Sequence, residues 1–260
     1  YVIGDVILFG LEDGRFNLVG RPSVHNWVRY NAETGGYKVK CTVDDRAADQ
    51  KGEIVRQAYR FQVQGPNAMK VVEKVVEGTI PELKFFQMAT IQIAGKKVSA
   101  LRHGMVGQPG WELFGPWADG EEVKAALVAA GKEFGLRLVG GRAYSSNTLE
   151  SGWIPSPLPA IFSSPKMKAY REWLPDNTWE ARASLGGSFV SDNIEDYYLT
   201  PYDLGYGTMV RFDHDFVGRE ALEKISKAPA RTKVTLELHT EDVMKAIGSQ
   251  FESGNRAKFM

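Results

Sequence analysis

The sequence predicts an α+β fold built on largely antiparallel sheet, and three observations predict it. Strand-like runs come in pairs joined by glycine turns, as in hairpins. Between residues 60 and 134 the order is strand, helix, two strands and helix, which suits a sheet covered by helices. From Gly152 the texture changes to Trp153-Ile154-Pro155-Ser156-Pro157-Leu158-Pro159, a stretch that reads as extended connection near a domain boundary.

The elements follow in order. Val2, Ile3 and Val6 to Phe9 form a buried-type run, Glu12-Asp13-Gly14 a turn, and Phe16 to Val19 the returning strand. Pro22 fits the first turn of a helix running to about Glu33, where Gly35-Gly36 stops it. Tyr37 to Val43 alternates as a strand, and the polar residues 45–57 read as a surface loop. Arg60 to Gln64 is another alternating strand, closed by Gly65-Pro66. Asn67 is a candidate cap for the next helix, whose Ala68, Met69, Val72, Val75 and Val76 share one face. Ile91 to Ile93 and Val98 to Leu101 pair through Gly95. Asp119 to Phe134 is the clearest helix, with Val123, Ala126, Leu127, Ala130 and Phe134 on one stripe and Gly135 as its stop. Gly140 to Tyr144 reads as a loop entering a helix that Ser146 caps. Five of the twelve prolines lie between 155 and 175, which favours extended chain there, and Val234 to Leu238 alternates as a strand.

Composition excludes several classes. The 32 basic and 32 acidic side chains cancel, so there is no basic face to neutralise nucleic-acid phosphates and no nucleic-acid partner is expected. The longest apolar run, Val2 to Phe9, is broken by Gly4 and Asp5 and falls short of the roughly 20 residues of a membrane helix, so no membrane partner is expected either. The single Cys41 forbids an internal disulfide and points to a reducing, cytoplasmic setting. The four histidines are far apart and form no metal motif. The nearest approach to a dinucleotide loop, Gly205-Tyr206-Gly207, has Val210 where the third glycine belongs. The chain opens at Tyr1 inside a strand-like run and closes at Met260 with no terminating signal, so both ends read as cut from a longer protein. Nothing in the sequence sets the oligomeric state.

Four local features remain as candidates for chemistry. Gln108-Pro109-Gly110-Trp111-Glu112-Leu113-Phe114 sets a carboxylate in an apolar strand, either exposed to water or buried among donors. Arg142 and Tyr144 stand before Ser145 to Glu150, as a solvated charge and packed aromatic or as site residues. Trp153 is core or ligand contact. Arg21, between Gly20 and Pro22, faces water or binds a carboxylate.

These features sit among longer runs that resemble the folate-dependent aminomethyltransferase superfamily. They include Val2-Ile3-Gly4-Asp5, Gln64-Gly65-Pro66, Leu83-Lys84-Phe85-Phe86, Leu101-Arg102-His103-Gly104-Met105, Ser146 to Ala160, Gly187 to Val190 and Phe212 to Arg219. Within the superfamily, Ser146-Asn147-Thr148-Leu149-Glu150-Ser151-Gly152-Trp153 and Asn193-Ile194-Glu195-Asp196-Tyr197-Tyr198 are most similar to the tetrahydrofolate-dependent O-demethylases of methoxybenzoates. The resemblance implies a folate-binding fold of interleaved antiparallel α/β sandwich subdomains with most of the C-terminal β domain missing. It divides the chain into 1–55 and 151–225 in one subdomain, 56–150 in the folate-binding subdomain, and 226–260 as the start of the β domain.

It also implies roles. Glu112 matches the carboxylate that grips the pterin, Trp153 the aromatic packed against the folate, and Arg142 an arginine near the cofactor. Tyr144 matches the proton donor, and Arg21 the arginine that pairs with the substrate carboxylate. The implied reaction moves the methyl group of vanillate, syringate or 3-O-methylgallate to tetrahydrofolate, without a metal. Another folate-dependent aminomethyltransferase, a sulfonium demethylase and a folate binder without activity are the alternatives; the last needs Glu112 and Trp153 but neither Tyr144 nor Arg21. Gly4-Asp5 stands where glycine-cleavage aminomethyltransferases carry paired aspartates, a departure from that branch.

Overall fold

The computed structural model describes residues 1–12, 14–44, 56–227, 231–254 and 256–257, with the backbone alone for Tyr144. In chain order these form β1 (Val6–Gly10), β2 (Phe16–Gly20), α1 (Pro22–Thr34), β3 (Ala58–Gln64), α2 (Ala68–Val75), β4 (Met88–Ile93), β5 (Lys96–Arg102) and β6 (Gly110–Pro116). Then come α3 (Gly120–Gly131), α4 (Gly141–Ser151), α5 (Lys168–Trp173), α6 (Trp179–Arg182), α7 (Arg219–Ile225) and α8 (Thr240–Gly248). The chain divides into two units, Cys41–Trp153 and the discontinuous Tyr1–Lys40 with Ile154–Met260.

In the Cys41–Trp153 unit the sheet order is β3-β6-β5-β4, with every neighbouring pair antiparallel. Period-2 alternation sends Tyr59, Phe61 and Val63 to one face, beside Trp111 and Leu113 of β6, Val98 and Ala100 of β5, and Ile91 and Ile93 of β4. Val71 and Val72 of α2 and Val123 and Leu127 of α3 cover that face and close a single core. Each large side chain buried there stabilises the fold by about 1.5–3 kcal/mol relative to exposure. The same alternation sends Arg60, Gln62 and Glu112 to the opposite face. A one-residue slip would exchange the two sets, so the apolar face fixes the register that assembles the polar one.

Two expectations for this unit need correction. Asn67 does not cap α2: its Nδ2 donates to Phe134 O at 3.2 Å, tying the start of α2 to the chain after α3. Ser146 lies inside α4, which begins at Gly141, and its Oγ donates back to Ala143 O at 2.7 Å. Gly135 does stop the α3 segment, in the left-handed conformation at φ 73°. Residues 45–55 of the expected loop, and Asp13 of the expected turn, lie outside the described residues.

In the other unit β1 and β2 pair antiparallel with Val6 opposite Gly20. A Cβ at Gly20 would lie 2.6 Å from Val6 Cγ1 and 2.8 Å from Asp5 O, so the strand end before Arg21 requires glycine. Pro22 opens α1 as expected. One face of α1 joins Trp27 and Tyr30 to Tyr170 and Trp173 of α5 in an aromatic cluster. Glu180 of α6 is buried beside it, and both its oxygens accept from Asn26 Nδ2, at 3.0 and 3.1 Å.

Tyr37 to Val43 and Val234 to Leu238 are not strands. Both have the alternation but no partner strand among the described residues, and their large apolar side chains are exposed. The stretch 155–175 is not wholly extended either, because Pro165–Met167 forms a 3₁₀ turn that runs into α5. Two of its prolines bracket the helical stretch: Pro165 opens the 3₁₀ turn and Pro175 follows the end of α5. Among the described residues no helix is long and apolar enough to cross a membrane.

Candidate functional site

Glu112 stands in the middle of β6, opposite Gln62 of β3 on one side and Leu101 of β5 on the other. Its side chain is 12% exposed. Arg60, one pleat along β3, donates from Nη1 to Glu112 Oε1 at 2.5 Å, and its guanidinium lies 4.2 Å from the centroid of Phe114. His103 follows the end of β5 and brings Nδ1 to 3.6 Å from Glu112 Oε2, beyond hydrogen-bond reach. Gln62 Nε2 donates to His103 O at 2.8 Å and holds that residue against the sheet. Phe86 packs edge-on to the His103 ring with centroids 5.2 Å apart.

The electrostatics follow from these contacts. Burial pushes the Glu112 carboxyl up, but the neighbouring His103 and Arg60 outweigh it and hold the group below its ordinary value, so it is ionised at neutral pH. Arg60 takes Oε1, and Oε2 faces His103 Nδ1 at 3.6 Å and accepts no hydrogen bond among the described residues. A mostly buried, acceptor-only carboxylate on this face suits a ligand that offers N–H donors.

The other sequence-predicted residues are placed separately. Arg142 is in the first turn of α4, exposed, with no hydrogen bond or ion pair among the described residues. Tyr144 is in α4 by its backbone, and its side chain lies outside what is described. Trp153 is half-buried directly after Gly152, whose left-handed φ of 59° ends α4, and its N–H donates to Thr148 O at 3.0 Å. Arg21 belongs to the other unit, exposed at the N-terminus of α1, where it makes no hydrogen bond or ion pair among the described residues. Asp5, also in that unit, accepts from Tyr206 Oη at 2.7 Å.

The polar partners of Glu112 are therefore Arg60 and His103, which the sequence reading did not single out. The signal was present in part. Arg60, Gln62 and Gln64 alternate with Phe61 and Val63, which marks a polar stripe, but only the β3–β6 register shows that it meets Glu112.

Residues 1–156 match the family of GCVT N-terminal domains. A syringate O-demethylase of Sphingobium sp. (strain NBRC 103272 / SYK-6) is 55% identical over 259 residues, covering 100% of this chain and 56% of that protein. A sesamin methylene transferase of Sinomonas sp. (strain No.22) is 32% identical over 208 residues, 78% of this chain and 46% of that one. An aminomethyltransferase of Thermoanaerobacter sp. (strain X514) is 25% identical over 239 residues, 90% of this chain and 52% of that one. The chain thus spans about half the length of these curated relatives.

Proposed function

The chain belongs to the family of GCVT N-terminal domains, and from that premise we propose that it acts in an O-demethylase that transfers the methyl group of a methoxybenzoate such as syringate to tetrahydrofolate. The products are the phenol and 5-methyltetrahydrofolate. The observation that carries this reading is the mostly buried Glu112, whose Oε1 is held by Arg60 and whose Oε2 accepts no hydrogen bond among the described residues. A pterin ring presents adjacent N–H donors to such a group. Likeness to a syringate O-demethylase along the whole chain supports the methoxybenzoate, and likeness to a methylene transferase and an aminomethyltransferase supports one-carbon transfer as the reaction class.

Tetrahydrofolate, when bound, supplies the nitrogen that takes the methyl group. Glu112 holds the pterin edge, with Arg60 keeping the carboxylate ionised and oriented. Trp153 and Arg142 flank the cofactor. Tyr144 meets the charge that develops on the phenol oxygen by donating its proton, a role suited to a tyrosine whose ordinary pKa of about 10 is close to that of a phenol. Arg21 pairs with the benzoate carboxylate and fixes the ring for in-line transfer. Proton donation of this kind is worth about 10²–10⁴ in rate.

Titrating the full chain and its Glu112→Gln variant with tetrahydrofolate by calorimetry tests the reading. Affinity should fall about 10- to 100-fold, the loss expected when hydrogen bonds to a charged group are replaced. Equal affinities would remove Glu112 from the site and the reading with it.

A further inference from the structure

Arg21 is an exposed cation with no hydrogen bond or ion pair among the described residues, yet the backbone that carries it is fixed from both ends. Pro22 follows it and keeps it extended, at φ −83° and ψ 155°. Gly20 before it is seated against Val6 and Asp5. After it, Ser23 is buried, and Val24 lies so close to the chain before β1 that a Cβ at Gly4 would stand 2.8 Å from Val24 Cγ2. No side chain caps α1 and no acidic residue stands in its first turn, so the positive end of the helix backbone adds to the arginine.

Two neighbouring side chains of α1 complete the fixing. His25 Nε2 lies 3.1 Å from Leu18 O, and because a carbonyl only accepts, Nε2 carries the proton and donates it. Burial holds the His25 imidazole below its ordinary range, against the pull of that carbonyl, so the ring is neutral at pH 7. The hydrogen bond spans the turn from β2 to α1 and closes a loop around Arg21. Asn26, the next residue, donates to both oxygens of Glu180, which also accepts from Tyr170 Oη at 3.3 Å. Glu180 is buried without an ion pair among the described residues, a costly way to hold a helix that an aromatic cluster already packs. What such a network adds is a single fixed geometry, because both oxygens of the carboxylate set the rotation of α1.

We infer that His25 is a positioning residue for substrate recognition: it holds the turn from β2 to α1 so that Arg21 is set in place for the carboxylate of the methoxybenzoate, with the Asn26–Glu180 pair anchoring the helix. The inference rests on the assignment of that carboxylate to Arg21. A cation on a fixed base gives up less freedom on binding than one on a loose turn, so the gain passes through Arg21 alone. Calorimetry of syringate binding to the full chain, for the parent, His25→Leu, Arg21→Ala and the double variant, tests it. His25→Leu should lower syringate affinity about three- to tenfold and leave tetrahydrofolate affinity within about twofold, which also shows that the variant is folded. In the Arg21→Ala background the same change should cost less than about twofold, because a residue that acts through Arg21 has nothing left to position. His25→Gln, which keeps a donor for Leu18 O, should stay closer to the parent than His25→Leu, and the reverse order would exclude the hydrogen bond as the cause. Unchanged syringate affinity in His25→Leu would overturn the inference. So would equal losses with and without Arg21, or a matching loss of tetrahydrofolate affinity, either of which would make His25 a structural residue alone. If Arg21→Ala leaves syringate affinity unchanged, the assignment of Arg21 fails, and the inference with it, whatever His25 does.

Discussion

Replacing Arg60 by methionine keeps much of the aliphatic stem over Phe114 and removes the charge that faces Glu112. Breaking one side of a fully desolvated ion pair costs about 3–5 kcal/mol. Here the Arg60 and Glu112 side chains are 23% and 12% exposed, so water recovers part of that cost and the expected loss at neutral pH is about 2 kcal/mol. Loss of the cation–π contact accounts for about 0.5–1 kcal/mol of the change and does not depend on pH. The pair itself does. Because Glu112 titrates below its ordinary 4.5 in the folded chain, its stabilisation is present above that pH and disappears as pH falls through the lowered value. Without Arg60, burial is less opposed and the carboxyl titrates higher, so the gap between the variant and the parent should narrow as acid is added. Urea unfolding of the parent, Arg60→Met, Glu112→Gln and the double variant, at pH 7 and in steps toward pH 4, measures both effects. The cycle should give a coupling energy of at least about 1 kcal/mol at pH 7 that shrinks in acid. A coupling below about 0.3 kcal/mol, or one constant with pH, would refute the claim that Arg60 holds Glu112 as a carboxylate.

Other expectations follow from residues elsewhere. Tyr144→Phe should leave tetrahydrofolate affinity intact and slow demethylation about 10²- to 10⁴-fold in steady-state assays; an unchanged rate removes the proton donor. Arg21→Ala should raise KM for syringate and vanillate while leaving guaiacol, which has no carboxylate, nearly unaffected, and the reverse order would dismiss the anchor. Asp203 accepts from Thr200 N at 2.7 Å, Thr200 Oγ1 at 2.8 Å and Arg231 Nε at 3.1 Å. Burial opposes these contacts but they prevail, so its carboxyl lies below 3.8. Asp203→Asn should therefore destabilise by about 1–2 kcal/mol at neutral pH, with the difference closing in acid denaturation below pH 3.8; a difference that persists there would contradict the assignment.

What could be read from the chain depended on how local the cause was. Pro22, the α3 stripe and Gly135 act within a few residues, and the elements they predict are present. Tyr37 to Val43 and Val234 to Leu238 carry the pattern of a strand, but a strand exists only where another pairs with it, and that is not a local property. Of the prolines after Gly152, Pro155, Pro157 and Pro159 stand in non-helical chain as expected, while Pro165 and Pro175 mislead, since a proline excluded from a helix interior is favoured in its first turn and after its end. Glu112 was legible as a carboxylate in an apolar strand, either exposed to water or buried among donors, and only the fold decides for the second. Its donors were not, because Arg60 is 52 residues away in sequence and reaches it through the β3–β6 register. Arg142 and Arg21 show the limit from the other side: the structure gives each a place at a helix start and no protein partner among the described residues.

Methyl transfer can be followed by incubating the full chain with tetrahydrofolate and syringate labelled with ¹³C in its methoxy carbon. The label should appear on N5 of tetrahydrofolate, in equal amount to the phenol released and with no free methanol or formaldehyde. Phenol release with the label in methanol or formaldehyde, or no demethylation of any methoxybenzoate, would contradict it.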